Sequence, residues 1–400
     1  MISARRNLLR PRGDHDHARV TYSELFFDLV FVFAITQLSH GLLAHLTLLG
    51  AIETGLLMMA VWWVWIYTSW ITNWLDPEQR PVRLMLFVLM AAGLAMSSSI
   101  PKAFGARGLE FAVTFVFMQV GRCLFMLWAV KRHDHRNYRN FQRITVWLSV
   151  SAIFWIAGGL SDGWQRLALW TAAIAIEYLS PAVGMWVPGL GRSTPQEWKI
   201  DGAHLAERCA GFVIIALGES LVVTGATFAD MEWHGLTIAA FGAAFGGCVA
   251  MWAVYFNVGA ERASHHIAQS SDPGRLGRSG YTYLHILIIG GIIVSAVADE
   301  LALAHPHGHD GHTDFKTMLI IVGGPAIYLL GTGWFKKLTA PYFPLSHLIG
   351  LGLLGLLGCT YGIATPLHLA SGTTVILIVV AIWEWASLTD RGRRPPEHGR

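Results

Sequence analysis

Charge is what this 400-residue chain has least of. Asp, Glu, Lys and Arg make up 14% of it, 54% is hydrophobic and the mean hydropathy is +0.46. Soluble domains carry about 25% charged residues because their surfaces face water, so a water-soluble globule is excluded and most of the outer surface must face lipid. The net charge is only +3 and no more than two basic residues ever stand together. No patch can therefore track phosphates, and nucleic acid is excluded as a partner. Cysteine is equally sparse. Cys123, Cys209, Cys248 and Cys359 fall singly in or beside apolar stretches with no CxxC pair, which reads as small buried hydrophobes and not as zinc or redox chemistry. P-loop and HExxH motifs are absent, leaving the NTPase and zinc-protease readings without support. The N-terminal MISARRNLLRPRGDHDHARV is basic, but the apolar run after it is too long for a signal-peptide core and lacks a small-residue cleavage site, so it is expected to stay as a first span.

What is there is a series of long apolar runs. A bilayer core of about 30 Å needs roughly 20 helical residues. Runs of that kind occupy approximately 22–45, 49–71, 82–100, 109–130, 144–161, 166–187, 204–228, 235–259, 281–303, 317–335, 344–363 and 372–389. With the N-terminus cytoplasmic, 24 of the 29 Lys and Arg fall on the inner side, Lys102, Arg107, Arg166 and Lys316 fall on the outer side, and Arg122 lies within a run. That asymmetry is what the positive-inside rule requires, and miscounting one run would scramble it. The basic clusters KRHDHRNYRNFQR and RGRRPPEHGR read as anchors at the inner boundary.

The first and seventh runs contain ELFFDLVFVFAITQ and ERCAGFVIIALGES, which align without gaps at an offset of 183. Glu177 and Glu384 hold corresponding places in runs six and twelve, and Tyr67 and Tyr255 in runs two and eight. The expected fold is an all-α integral membrane protein of about twelve transmembrane helices in two pseudo-symmetric six-helix repeats. Residues 1–20 form a cytoplasmic segment, 21–190 and 204–390 the repeats, and 391–400 a cytoplasmic tail. Two halves with an even number of spans enter the membrane the same way, so their pseudo-twofold axis lies along its normal, a plan common among transporters. Gly242 with Gly246 and Gly358 with Gly362 have GxxxG spacing, suited to close helix packing within the chain or to a homo-oligomer interface. Trp62 to Trp65 sit too deep in their run for a headgroup belt.

Ionisable groups in these runs cost about 2.5–3.5 kcal/mol each even on the lenient insertion scale, so each must be paired, neutralised or wetted. Glu24 and Asp28 are four apart and share a helix face, with Ser39 further along the same stripe. Arg208 and Glu219 are similarly aligned in the seventh run, with His204 one turn below. Arg122 needs an acid, for which Glu177 and Glu219 are both depth-compatible. Carboxylates with Gln37, Ser220, His40 and His204 can line a cation path, bind a polar solute or hold a metal. The outer loop HPHGHDGHTD carries His305, His307, His309 and His312, a candidate zinc or copper site, and Asp14 to His17 is a shorter version.

Taken together, YSELFFDLVFVFAITQLSH and HLAERCAGFVIIALGES resemble the bacterial low temperature requirement protein A (LtrA) family, over about residues 19–390. Glu24, Phe27, Asp28, Phe31, Gln37 and His40 match the first motif, and His204, Glu207, Arg208, Glu219 and Ser220 the second. The resemblance also takes in Arg122 and the acidic position Glu177, but not the His-rich loop. It implies a multi-pass protein of the bacterial cytoplasmic membrane and supplies no agreed substrate. FFDLVFVFAIT is also similar to the first helix of the lysosomal-type potassium channels, themselves built from six-span repeats, which implies ion permeation. The leading expectation is transport of an ion or small polar solute through a carboxylate-lined cleft between the repeats, with the lipid bilayer as surroundings. The alternatives are a membrane-embedded, metal-dependent enzyme acting on a lipid-like substrate, and an envelope sensor or scaffold.

Overall fold

A computed structural model describes residues 7–11, 19–198, 200–257, 276–308, 310–338 and 342–392. Among them are twelve helical rods and no β-strand beyond two isolated bridges. They are α1 (Tyr22–Ala44), α2 (Leu48–Trp74), α3 (Arg80–Lys102), α4 (Gly108–Val130), α5 (His135–Gly159), α6 (Gly163–Leu179), α7 (Gly202–Ala229), α8 (Gly235–Phe256), α9 (Arg278–Ala304), α10 (Phe315–Lys337), α11 (Leu345–Gly358) and α12 (Pro366–Gly392). Ten are long and apolar enough to cross a membrane. The 17 residues of α6 and 14 of α11 rise about 26 and 21 Å, short of a full hydrocarbon core. Among the described residues twelve full-length spans are therefore not observed. The run expected to reach residue 187 ends at Leu179 because Pro181 cannot continue the ladder, and the one expected to reach 363 ends at Gly358, after which the chain turns. The basic stretch 135–143, expected as a loop, forms the first turns of α5 behind the N-cap of Asp134, whose carboxylate accepts from the Asn137 N–H at 3.0 Å.

The chain divides into two compact units, Met1–Gly211 with Ser270–Arg278, and Phe212–Gln269 with Ser279–Arg400. In the first, α2 is buried on every side from Ala60 to Leu75, as a helix with no polar face must be. This places Trp62, Trp63 and Trp65 in the core, where the indoles stack on one another and on Tyr67 and Tyr178. On α1 the polarity is inverted relative to a soluble helix: Leu25, Phe26, Leu29 and Phe33 face outward while Glu24 and Asp28 are buried. Lipid on the outside makes that pattern favourable.

In the second unit the main packing is α9 against α10. Gly291 lies where a Cβ would meet the Tyr328 backbone N at 2.5 Å, and Gly324 where it would meet Ser295 Oγ at 2.6 Å, so only glycine permits this approach. The helix α8 meets α12 at Gly246 and Gly247, against Thr374, whose hydroxyl donates to Ala243 O at 2.8 Å. Gly242 and Gly362, the other members of the GxxxG pairs, have nothing within 4 Å of a Cβ.

Gly324→Leu should therefore destabilise the protein by about 1–3 kcal/mol through overpacking, read as a lowered thermal midpoint in detergent. Gly242→Leu, with open space at the same atom, should leave that midpoint unchanged.

Candidate functional site

The first polar cluster is built from both ends of the first unit's sequence. Thr21 caps α1, its hydroxyl and N–H each 2.9 Å from Glu24 Oε2, so the TYSE string is a capping box that turns the Glu24 carboxylate back over the helix start. Arg10 Nη2 donates to the same oxygen at 2.9 Å. On the other oxygen lies His204 Nε2, also at 2.9 Å. The tautomer of His204 follows from its neighbours. Asn73 Oδ1 accepts from the Asp201 N–H, which leaves Asn73 Nδ2 to donate to Asp201 O at 2.8 Å and to His204 Nδ1 at 3.2 Å. Nδ1 is thus an acceptor, and the ring hydrogen sits on Nε2, aimed at Glu24. Asp201 in turn caps α7, accepting from the Ala203 and His204 N–H groups.

One helical turn further along α1, Asp28 Oδ1 accepts from Trp65 Nε1 at 2.7 Å and Arg208 Nη2 at 2.8 Å. The Arg208 guanidinium lies 5.5 Å from the Trp65 ring centroid and also donates to Ser69 Oγ at 3.2 Å. Its Nη1 is 4.0 Å from Glu24 Oε1. Nε and Nη1 of Arg208 are buried with no hydrogen-bond partner among the described residues. A single cation is therefore bound to one acid, close to a second, and keeps two donors unused. Glu24, Asp28, His204 and Arg208 are all at most 1% exposed.

Arg122 resolves towards Glu177. Its Nη1 donates to Val64 O and Thr68 Oγ1, both at 2.7 Å, and its Nη2 to Gln119 Oε1, while Gln119 Nε2 donates to Glu177 Oε2 at 3.0 Å. Glu177 Oε1 accepts from Trp155 Nε1 at 2.9 Å and from Ser151 Oγ. A π-turn at Phe117–Gly121 interrupts α4 between Val116 and Arg122, and Gln119 within it and Arg122 just after it are both buried. In the second unit Lys336 Nζ donates to Val254 O at 2.8 Å and to Glu384, whose other oxygen is 3.3 Å from both Ser346 Oγ and His347 Nδ1.

The remaining candidates are dispersed. Glu207 is exposed and, among the described residues, accepts only from the Val20 N–H, at 3.3 Å, so it is not a buried counterpart of Glu24. His40 is exposed and lies about 24 Å of helix rise from Glu24, so no site joins it to His204 and Glu207 as a metal enzyme would need. Gln37 is half-buried and lines a separate cavity at the far end of α1. Glu219 and Ser220 are buried in the second unit, three turns past Arg208 on α7. Of the His-rich loop, His309 lies outside the described residues, as do Asp14 to His17. Among the described residues no three His, Cys, Asp or Glu side chains gather as a metal would require. Arg10, Asn73, Gln119 and Lys336 escaped the sequence reading, and Trp65 was marked only by its depth in the second run. Gln119 also carried a signal, a lone amide amid an apolar run beside Arg122. GLSDG at 159–163 has the spacing of a nucleophile elbow, but it joins α5 to α6, and its Ser161 hydroxyl donates to Ala157 O at 2.8 Å.

The family model for the bacterial low temperature requirement A protein (LtrA) matches residues 19–382. The chain is also similar to the uncharacterized protein RA0937 of Rhizobium meliloti (strain 1021), 43% identical over 375 residues that cover 93% of this chain and 90% of the relative. No solved structure matches it. The chain belongs to the LtrA family.

Replacing Arg208 with Leu leaves Asp28 buried without its cation and should cost about 3–5 kcal/mol, seen as a lower thermal midpoint in detergent. The double replacement Asp28→Leu with Arg208→Leu should recover most of that loss, because Glu24 keeps Arg10 and His204.

Proposed function

We propose that this multi-pass LtrA protein moves a proton or a small cation across the bacterial cytoplasmic membrane, with Asp28 as the acid that takes it up. The observation that carries the reading is the position of Arg208. Bonded to Asp28 at 2.8 Å and 4.0 Å from Glu24, it is an internal cation that an incoming one can displace from the first acid to the second. Its two unpartnered donors keep that second arrangement open, since rotation towards Glu24 breaks few existing bonds. The site gains the charge of the incoming cation, but each cation keeps a carboxylate beside it, as a low-dielectric passage requires. The positive-inside distribution of Lys and Arg supports cytoplasmic termini, which puts Glu24 and Arg10 at the cytoplasmic end of α1.

The same reading takes the chain as two six-helix halves, 21–190 and 204–390. Beyond the aligned motifs, the two units contain one polar device in matching order. A cation on the fourth or tenth helix (Arg122, Lys336) bonds a main-chain carbonyl of the second or eighth (Val64, Val254). It serves an acid on the sixth or twelfth (Glu177, Glu384) that also meets a serine on the fifth or eleventh (Ser151, Ser346). Four elements recurring in one order support duplication better than any two glutamates aligned by chance.

An architectural role is favoured by one observation: Glu24, Asp28, Glu177 and Glu384 each have donors already in place. Purified protein reconstituted in vesicles with a pH dye and cation dyes under an imposed potential separates the two readings. Transport predicts saturable flux that falls at least about tenfold in Asp28→Asn, since a tenfold loss needs only about 1.4 kcal/mol at the binding step, and that persists in Asp28→Glu. Absence of proton and cation flux in the wild-type protein overturns it and leaves the architectural role.

A further inference from the structure

Far along α1 from Arg10 the first unit contains a partly open cavity of about 340 Å³, lined by Gln37, Gly41 and His45 of α1 and its end, Glu53 and Thr54 of α2, and the turn from Ile100 to Ala106 that carries Lys102. With a water's share of liquid volume near 30 Å³, that is room for roughly ten non-hydrogen atoms. The lining has charge of both signs. Among the described residues the side chains of Glu53 and Lys102 form no hydrogen bond and no ion pair within 4.0 Å, and the Gln37 amide forms no hydrogen bond; His45 is near enough to Glu53 to interact with its charge, and Lys102 is exposed. Glu53 is nonetheless half-buried.

Two features show that the space is maintained and not left over. The first is the rigid wall. Arg166, 3% exposed at the start of α6, donates through Nη1 to Ala103 O at 2.8 Å and Gly105 O at 2.6 Å, and through Nε to Gly158 O at 3.2 Å. A buried guanidinium bonded to three main-chain carbonyls fixes the turn that forms one side of the cavity, because each bond broken would leave a buried donor unsatisfied. Gly108 accommodates it, since a Cβ there would stand 2.5 Å from the Arg166 guanidinium carbon. The second is Gly41. A glycine within a helix is less favourable than alanine, yet nothing lies within 4 Å of a Cβ at this position, so packing does not demand it. What a side chain at residue 41 would enter is the cavity.

We propose that this cavity binds a small zwitterion, its cationic nitrogen on Glu53 and its carboxylate on Lys102, with the Gln37 amide and Thr54 hydroxyl completing the polar contacts. An ion of one sign would engage only one of the two charges, whereas a zwitterion of amino-acid size offers a group to each and fits the volume. The site stands apart from the Asp28–Arg208 pair and does not rest on the transport reading, because occupancy is measured without flux.

The test is equilibrium binding to the purified full-length protein in detergent, using L-alanine and glycine betaine as zwitterions, choline as cation alone, acetate as anion alone, and phosphoethanolamine as the zwitterion of a lipid headgroup. Saturable binding of L-alanine or glycine betaine, with choline and acetate at least about tenfold weaker, is the expected result, a gap that one lost charge-assisted contact of about 1.5–3 kcal/mol produces. Glu53→Gln and Lys102→Met should each weaken it by a similar factor. Gly41→Leu should abolish it with the ligand-free thermal midpoint unchanged, and Gly41→Ala keeps a folded protein in which binding is merely reduced. Binding of phosphoethanolamine alone would assign the cavity to a lipid headgroup and overturn the proposal. So would the failure of both free zwitterions to saturate, or binding that survives the double replacement of Glu53 and Lys102.

Discussion

A carboxylate placed in a bilayer has to be met by donors from another part of the chain, and the first unit is organised around meeting two of them. Glu24 and Asp28 sit on the buried face of α1, and beyond the Thr21 cap on Glu24 their compensation arrives from elsewhere: Arg10 from the N-terminal segment, Trp65 from α2, and His204 and Arg208 from α7, with Ser69 of α2 holding Arg208. Hydrophobic association cannot order these helices, since lipid tails are as apolar as their outer faces. Polar bonds whose absence would cost several kcal/mol can. The register between α1 and α7 is therefore set by charge.

The same principle recurs at lower cost where a main-chain carbonyl takes part of the load. Arg122 and Lys336 each split their donors between a carbonyl of a neighbouring helix and an acid, the first through Gln119 and the second directly. The π-turn in α4 serves this arrangement by bringing Gln119 and Arg122 to a common network. Around these inward-facing networks the exposed large hydrophobic side chains of α1 and α3 beyond Tyr22 are Leu, Phe and Val, as contact with hydrocarbon requires.

Much of the fold was legible because apolar run length is a direct physical requirement of the bilayer, and the twelve runs correspond one for one to the twelve rods. Their ends were less legible, since Pro181 and the turn after Gly358 stop α6 and α11 without any loss of hydropathy. The acids of the site could be picked out as charges that the bilayer penalises. Their partners on α2 could not, because Trp65 and Asn73 lie in a stretch whose tryptophans dominate its composition. The two aligned motifs of α1 and α7 suggested mirrored sites, yet within the first unit they are complementary: α1 brings acids and α7 brings the base. Gapless alignment registers spacing, and it is blind to the sign of charge at the positions that matter, so Glu207 aligned with Glu24 while Arg208 proved to be its neighbour in space. The cavity beside Glu53 left no motif at all, because its walls come from three separate segments and its most telling residue is a glycine.

The central claim is that Arg208 is a movable charge shared by two acids. A density map of Asp28→Asn at side-chain resolution, in lipid nanodiscs beside the wild-type protein, tests it most directly. The account predicts that the guanidinium closes its 4.0 Å separation from Glu24 to hydrogen-bonding distance once position 28 is neutral. An Arg208 that stays beside position 28 with Glu24 no nearer would contradict it.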